Sequence, residues 1–125
     1  MRYDEFMKAV RERAGLDQDQ AEKAVRATLN TLAQRLAGGE AKDLASQLPQ
    51  ELKDTVLLTT GAGAGQPLTL DEFLATVADR EGCPVEAARR HVAAVMETLR
   101  DAVTHEEFDE VMSQLDKEYR TLVPA

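Results

Sequence analysis

The sequence predicts an all-α protein, built as a tandem repeat of two four-helix units packed with pseudo-twofold symmetry. Residues 4–56 align without a gap with residues 71–123 at an offset of 67 positions (71 minus 4), and 17 of the 53 aligned pairs are identical. In both segments apolar residues recur every three or four positions, which is the spacing of amphipathic helices. Neither segment shows the sustained two-residue alternation of strands, so we expect no sheet.

Composition divides the chain into two repeats and a connection. We expect repeat one at 1–60, a Gly/Ala-rich linker at 61–68 that is flexible by composition, and repeat two at 69–125. A unit of about 60 residues is only marginally stable alone, so the repeats should fold against each other as one compact domain. A flexible connection between similar halves would also permit self-association by exchange of halves.

The first helix of each repeat is predicted at 3–14 and 70–81. Gly15 and Gly82 should end these helices, because glycine accepts the left-handed conformation found at many helix ends. The apolar faces consist of Phe6, Met7, Val10 and Ala14 in the first copy and Phe73, Leu74 and Val77 in the second.

The remaining helices follow in the same order in both repeats. The second helix is predicted at 18–37, and its counterpart begins at Pro84, which suits a first helical turn. The third and fourth helices are predicted at 40–48 and from Pro49 in repeat one, and at 106–115 and from a capping Asp116 in repeat two.

Two Thr–Glu pairs predict capping boxes at helix starts. Thr69 precedes Glu72 by three residues, and Thr104 precedes Glu107 by three. In such a box the hydroxyl accepts a bond from one free amide while the carboxylate reaches back to another.

The charge is acidic and unevenly distributed. The formal net charge is −8; residues 1–60 carry nine Lys/Arg against ten Asp/Glu, and residues 61–125 carry six against thirteen. Nucleic acids and anionic membranes attract cationic surfaces, so we expect neither as a partner. A basic protein partner is compatible with this charge.

Cysteine content and hydropathy predict a cytoplasmic protein. Cys83 is the single cysteine, so no disulfide can form within the chain. The first residues are charged rather than apolar, and no apolar run approaches the roughly 20 residues of a membrane span.

Six short segments resemble those of a known family. They are residues 2–6, 12–16, 36–49, 70–73, 114–115 and 118–120. They are similar to the bacterial family called domain of unknown function 2267, and the likeness extends over nearly the whole chain. The resemblance implies an all-helical, two-repeat, cytosolic bacterial protein, and it implies no catalytic residues.

Two segments begin like binding loops but lack essential positions. The glycine-rich segment 61–65 is not followed by the Lys-Ser/Thr pair of a phosphate loop. Segment 17–19 begins like a calcium loop, but Glu22 and Thr28 stand where that loop needs glycine and a bidentate glutamate. We therefore expect no ligand at either segment.

The residues that could bind a metal form no complete site in the sequence. His105 and Asp109 are one helical turn apart, as in zinc-peptidase helices, but no third ligand is evident. His91 lies on the preceding helix at an unknown distance. We therefore expect no metal site and no cofactor.

Cys83 has two interpretations. A helix start beside it could lower the pKa of the thiol and make it reactive. Its counterpart in repeat one is the apolar Leu16, which favours a small buried side chain instead.

Polar residues outside these patterns suggest docking or structure. The densest acidic cluster, Glu106, Glu107, Asp109 and Glu110, could bind a basic partner, although such runs are more often solvated helix faces. Polar residues that recur in both repeats suggest capping or bonds between helices, or the lining of a ligand cleft. They are Asp4/Asp71, Glu5/Glu72, Arg13/Arg80 and Gln47/Gln114.

Two functions remain open from the sequence. The first is a non-enzymatic helical module that binds another protein or itself, because no catalytic set is complete. The alternative is a small-molecule or metal binder, or an enzyme, that uses a cleft between the repeats with His91, His105 or Cys83.

Overall fold

The computed structural model describes residues 1–123, which form seven α-helices and a final 3₁₀ helix. The helices are α1 Tyr3–Ala14, α2 Gln18–Arg35, α3 Glu40–Ser46, α4 Gln50–Leu57, α5 Leu70–Glu81, α6 Val85–Ala102, α7 His105–Ser113 and the 3₁₀ helix Lys117–Leu122. Within residues 1–123 there is no strand, and the β-type pairing is one isolated bridge between Ala37 and Ala64. The all-α prediction is confirmed.

The helices α1 and α5 have the bounds that the sequence predicts. Gly15 and Gly82 follow them with φ of 68° and 72°, the left-handed conformation expected at these ends. At the start of α5 the capping box of Thr69 and Glu72 is complete, with Thr69 N donating to Glu72 Oε1 over 2.9 Å and Glu72 N donating to Thr69 Oγ1 over 3.1 Å.

The second capping box is only half formed, which corrects the sequence prediction. Glu107 N donates to Thr104 Oγ1 over 3.2 Å, but the backbone amide of Thr104 donates instead to Gln47 Oε1 over 2.8 Å. The Glu107 side chain is buried, with 5% of the residue exposed. A contact between distant parts of the chain has replaced a local one.

The Gly/Ala-rich segment lies against the end of α2 rather than apart from it. Gly63 N donates to Ala33 O, Gly65 N to Leu36 O and Gly38 N to Gly63 O, each over 3.0–3.1 Å. These bonds satisfy carbonyl groups that the end of a helix leaves free. The sequence-based expectation of a flexible linker did not include these bonds. Helix α2 also ends at Arg35, two residues before the predicted end at residue 37.

The last helices of the two halves differ. Helix α3 ends at Ser46 and α7 at the equivalent Ser113, each two residues before the predicted ends at 48 and 115. The second half ends in a 3₁₀ helix where the first has α4. Asp116 precedes that 3₁₀ helix but makes no capping hydrogen bond; its carboxylate lies 3.7 Å from Arg35 Nη2 instead.

A single apolar core joins the two halves. Helix α1 packs against α6, α5 against α2, and α2 against α6. The core is mainly aliphatic, and Phe73 and Tyr119 add an edge-to-face ring contact with centroids 5.4 Å apart. The largest fully buried side chains are Tyr119, Phe6, Phe73, Met7, Leu29, Leu32, Leu36, Leu44, Met96 and Leu99. None of the described helices combines the length and the apolar character needed to cross a bilayer.

Candidate functional site

The arginines shared by the two repeats bond to the opposite half. Arg13 on α1 donates to Thr98 Oγ1 on α6, and Arg80 on α5 donates to Thr31 Oγ1 on α2, both over 2.9 Å. Donor and acceptor are shifted by the same 67 positions (80 minus 13 and 98 minus 31). The second Nη of Arg13 bonds to Asp101 over 2.6 Å.

The shared glutamines form a matching pair of bonds. Gln47 Oε1 accepts from Thr104 N, and Gln114 Oε1 accepts from Ala37 N, both over 2.8 Å. The prediction that the recurring arginines and glutamines form bonds between helices is confirmed. The arginines join α1 to α6 and α5 to α2, and the glutamines join the halves near α3 and α7.

Four carboxylates meet where these two helices face each other, and we call them the carboxylate cluster: Glu40 and Asp43 on α3 with Glu107 and Glu110 on α7. Residues three apart lie on one face of a helix, so each helix contributes two neighbouring acids. One oxygen from each side chain lies within 4.8 Å of the others. Glu40 and Glu107 are buried, with 9% and 5% exposed, while Asp43 and Glu110 are exposed.

The buried members of the carboxylate cluster lack donors. Oε2 of Glu40 and Oε2 of Glu107 are both buried and have no hydrogen-bond partner among residues 1–123. Gln114 Nε2 donates to the other oxygen of Glu40 over 3.4 Å, a long bond. Buried polar groups in proteins are normally paired, so these oxygens indicate a missing proton or cation.

The charges of the carboxylate cluster also favour a bound proton or cation. Burial raises the pKa of the Glu107 carboxyl to about 8, and the adjacent Glu40, followed by the charges of Asp43 and Glu110, adds to the increase. Two ionised carboxylates no more than 4.8 Å apart repel by at least about 3.5 kcal/mol at an effective dielectric constant of about 20. That is a large share of the roughly 5–15 kcal/mol that stabilises a domain, so a proton or a cation at the cluster would stabilise the fold.

The predicted acidic docking cluster is only partly available to a partner. Glu106, Asp109 and Glu110 are exposed, but Glu107 points into the protein. Glu107 is therefore corrected from a docking residue to a buried member of the carboxylate cluster. Docking through the other three stays a prediction.

The two histidines have separate surroundings. His105 Nε2 lies 3.2 Å from Asp109 Oδ2, and 88% and 62% of these side chains are exposed. His91 is buried elsewhere, with Nδ1 2.8 Å from Glu81 Oε1. The zinc-peptidase resemblance of α7 thus gains no third ligand from His91.

His91 instead lies beside Cys83 and Glu81, which also belong to the second half. One donor atom from each of the three side chains lies within 4.8 Å of the others. Burial, followed by the charge of Glu81, raises the pKa of the Cys83 thiol. This direction is opposite to the lowering of the pKa by a helix start, the first of the two interpretations of Cys83, and a reactive thiol stays a prediction.

Sequence reasoning missed Glu40 and Asp43. A clue existed, because Glu40 and Glu107 are one of the identical pairs, and both repeats have an acid three residues later. The repeated pattern of two acids on consecutive turns was visible. That the two patterns touch was not, since they are 67 positions apart (107 minus 40).

Comparison with known proteins identifies the family. No curated protein matches the chain. The family described as "Uncharacterized conserved protein (DUF2267)" matches residues 3–122. This covers 120 of the 125 residues (122 minus 3 plus 1), and the chain belongs to that family.

Proposed function

We propose that this protein binds a divalent cation at the carboxylate cluster, between two repeats packed with pseudo-twofold symmetry. The observation that carries the proposal is the pair of buried carboxyl groups of Glu40 and Glu107, each with one oxygen that accepts no hydrogen bond, with Asp43 and Glu110 beside them. A cation there would join α3 to α7 and thereby one repeat to the other.

Matched contacts support the twofold arrangement. The arginine bonds, the glutamine bonds and the facing pair Glu40 and Glu107 each relate residues that are 67 positions apart. A twofold axis between the halves would pass between these two glutamates. The cation would then lie on or near the axis, with one pair of acids from each repeat.

The donor atoms select the kind of cation. Carboxylate oxygens suit Ca²⁺, Mg²⁺ and Mn²⁺, whereas zinc and copper prefer nitrogen or sulfur. Four carboxylates offer up to eight oxygens, and Ca²⁺ takes six to eight. We therefore expect Ca²⁺ or Mn²⁺ to bind more tightly than Zn²⁺ at this cluster.

A shared proton is the competing explanation, and it has a different consequence. A protonated Glu107 can donate to Glu40 and satisfy both side chains without any ion. Cation binding must displace that proton, so it should strengthen as pH rises. A proton alone would leave the protein indifferent to Ca²⁺ and Mn²⁺.

The test is calorimetric titration and thermal unfolding of chelator-treated protein with Ca²⁺, Mn²⁺, Mg²⁺ or Zn²⁺. At 100 times the Kd, a bound ion adds roughly 2.7 kcal/mol of stability. For a chain of this size that raises the Tm by roughly 10 °C. The variant Glu40→Gln/Glu107→Gln should lose the increase caused by Ca²⁺ or Mn²⁺, because amides retain the shape and remove the charge.

The chain offers a matched control. Glu106→Gln/Asp109→Asn removes two negative charges from α7 outside the carboxylate cluster, and it should keep the full increase in Tm. Loss of the increase in the control would indicate a nonspecific charge effect. An unchanged Tm of the natural protein with Ca²⁺ and with Mn²⁺ would contradict the proposal and leave the shared proton.

Docking of a basic protein segment is a second candidate function. Glu106 and Asp109 are exposed on α7. Asp109 lines a groove of about 570 Å³ whose other lining residues include the apolar Phe108 and Met112 and the cationic Arg100 and Arg120. Charge reversal at Glu106 and Asp109 should abolish capture of one reproducible partner. Charge reversal at Glu86, an exposed acid on α6, should leave that capture intact.

A further inference from the structure

The turn between α5 and α6 places three chemically different side chains together. Helix α5 ends at Glu81, and Gly82 reverses the chain with φ of 72°. The amide of Cys83 donates back to Ala78 O over 3.0 Å, which holds the thiol beside the end of α5. His91 approaches the same place from α6, since α5 and α6 pack against each other.

The carboxylate in this group has an unused oxygen. Glu81 Oε1 lies 2.8 Å from His91 Nδ1, and 5% of the Glu81 side chain is exposed. Its Oε2 is buried and has no hydrogen-bond partner among residues 1–123. A histidine–glutamate pair alone accounts for one of the two oxygens.

The equivalent turn of the first half shows that the fold does not require these residues. The counterparts of Glu81, Cys83 and His91 are Ala14, Leu16 and Ala24, at the same offset of 67. The turn there has the same backbone form: Gly15 has φ of 68°, and the amide of residue 16 donates to Arg11 O over 3.0 Å. Three apolar side chains thus occupy the positions around the first turn. A thiol, an imidazole and a carboxylate occupy the equivalent positions around the second.

We propose that Glu81, Cys83 and His91 form a binding site for Zn²⁺ or a similar thiol-binding divalent metal. Sulfur and nitrogen donors with one carboxylate suit zinc and are a poor set for Ca²⁺ or Mg²⁺. The site is separate from the carboxylate cluster and does not depend on the function proposed for it.

The geometry is close to that of a zinc centre. Ligand bonds of about 2.0–2.3 Å in a tetrahedral site place the donor atoms about 3.3–3.7 Å apart. The three donor atoms already lie within 4.8 Å of one another, so side-chain adjustments of about 1 Å complete the triangle. Three protein ligands leave a fourth position for water or for a donor atom of a bound molecule.

Binding replaces a proton with the metal. The thiol loses its proton to solvent and becomes a ligand. Glu81 binds the metal through Oε2, because its Oε1 already contacts His91 Nδ1. The metal also gives the buried Glu81 oxygen the partner that it lacks.

Cobalt provides the direct test on reduced, metal-free, full-length protein. Co²⁺ should bind with one-to-one stoichiometry, with visible bands of a tetrahedral site and a near-ultraviolet thiolate band, and Zn²⁺ should displace it. Cys83→Ser should remove the thiolate band, and His91→Ala should weaken Co²⁺ binding by at least roughly tenfold. His105→Ala, which removes the exposed histidine, is the matched control and should change nothing.

A second variant and a measurement on the natural protein cover the case of misfolding. Glu81→Ala/Cys83→Leu/His91→Ala installs the residues of the first half and should fold without binding Co²⁺. In the natural protein Zn²⁺ should slow alkylation of Cys83, and Ca²⁺ should not. The proposal is overturned if no thiolate band forms, if His91→Ala binds Co²⁺ as tightly as the natural protein, or if Ca²⁺ protects Cys83 equally.

Discussion

The turns after α1 and after α5 share one backbone geometry and contain opposite chemistry. Both use a left-handed glycine and the same backward hydrogen bond, yet one surrounds alanine and leucine while the other surrounds Glu81, Cys83 and His91. The facing helices α3 and α7 instead have the same chemistry in both halves, because each has acids at equivalent positions. One proposed site, the carboxylate cluster, thus lies where the two halves have equivalent acids. The other, at Glu81, Cys83 and His91, lies where the two halves differ.

The largest expected effect tests whether the equivalent aromatic residues of the two halves contribute equally. Phe6→Ala and Phe73→Ala should each cost about 3–5 kcal/mol of unfolding free energy, because each ring is fully buried. Phe73→Ala should cost about 0.5–1.5 kcal/mol more, since Phe73 also contacts the Tyr119 ring. Urea unfolding measures both, and equal values would show that the ring contact adds nothing.

The next effect concerns pH and the acids of α7. The folded-state pKa of Glu107 lies near 8, above its ordinary value of 4.5, so the folded protein retains a proton that the unfolded chain has lost. Stability should therefore be highest near pH 4.5 and fall as pH rises towards 8. The groups that face Glu107 and oppose its ionisation are Glu40, Asp43 and Glu110.

The measurement is the Tm of chelator-treated protein between pH 4.5 and 8.5. Glu107→Gln should flatten this part of the profile, and the neighbouring exposed Glu106→Gln should not. A profile of the natural protein that rises over this interval would contradict the assignment of a raised pKa to Glu107.

The arginine contacts allow a smaller comparison. Arg13 has two acids near it, Glu97 at 3.7 Å and Asp101 at 2.6 Å, whereas Arg80 bonds to the neutral Gln34 over 2.8 Å. Arg13→Met should cost about 2 kcal/mol and Arg80→Met about 1 kcal/mol. High salt should reduce the difference between them, and a difference that persists at 1 M salt would show that charge is not its cause.

The smallest effect isolates the glycine conformation. An added Cβ at Gly15 or Gly82 would meet no atom within 4 Å, so Gly15→Ala and Gly82→Ala should cost only the backbone strain of about 1–2 kcal/mol. Gly39→Ala is the control, because Gly39 has φ of −81° and open space. Its unfolding free energy should be unchanged or slightly higher.

Local chemistry explains how far the sequence predicts this structure. Apolar spacing and terminal glycines gave α1 and α5 with correct bounds, since both depend on neighbouring residues. The predictions for the end of α2 and for the cap of α7 were less accurate, because residues distant in sequence bond to the backbone there. Gly63 bonds to the backbone near the end of α2, and Gln47 accepts from the amide of Thr104 at the start of α7.

The two proposed sites likewise depend on contacts between residues that are distant in the sequence. Cys83 and His91 were both candidates from the sequence, but their contact requires the packing of α5 on α6. Acids such as Glu40 and Asp43 in the first turn of a helix are common and do not by themselves indicate a site. Only the meeting of α3 and α7 gives Glu40 and Glu107 their shared burial and their raised electrostatic cost.

The reciprocal arginines have a consequence for how such a protein can change over generations. Two equivalent bonds fasten the halves, so one of them can be altered while the other still secures the assembly. Both arginine–threonine bonds are kept, but the partner of the second Nη differs: Asp101 for Arg13 and Gln34 for Arg80. Because two equivalent bonds hold the halves together, the residues of one half can differ from those of the other without loss of the contact between them.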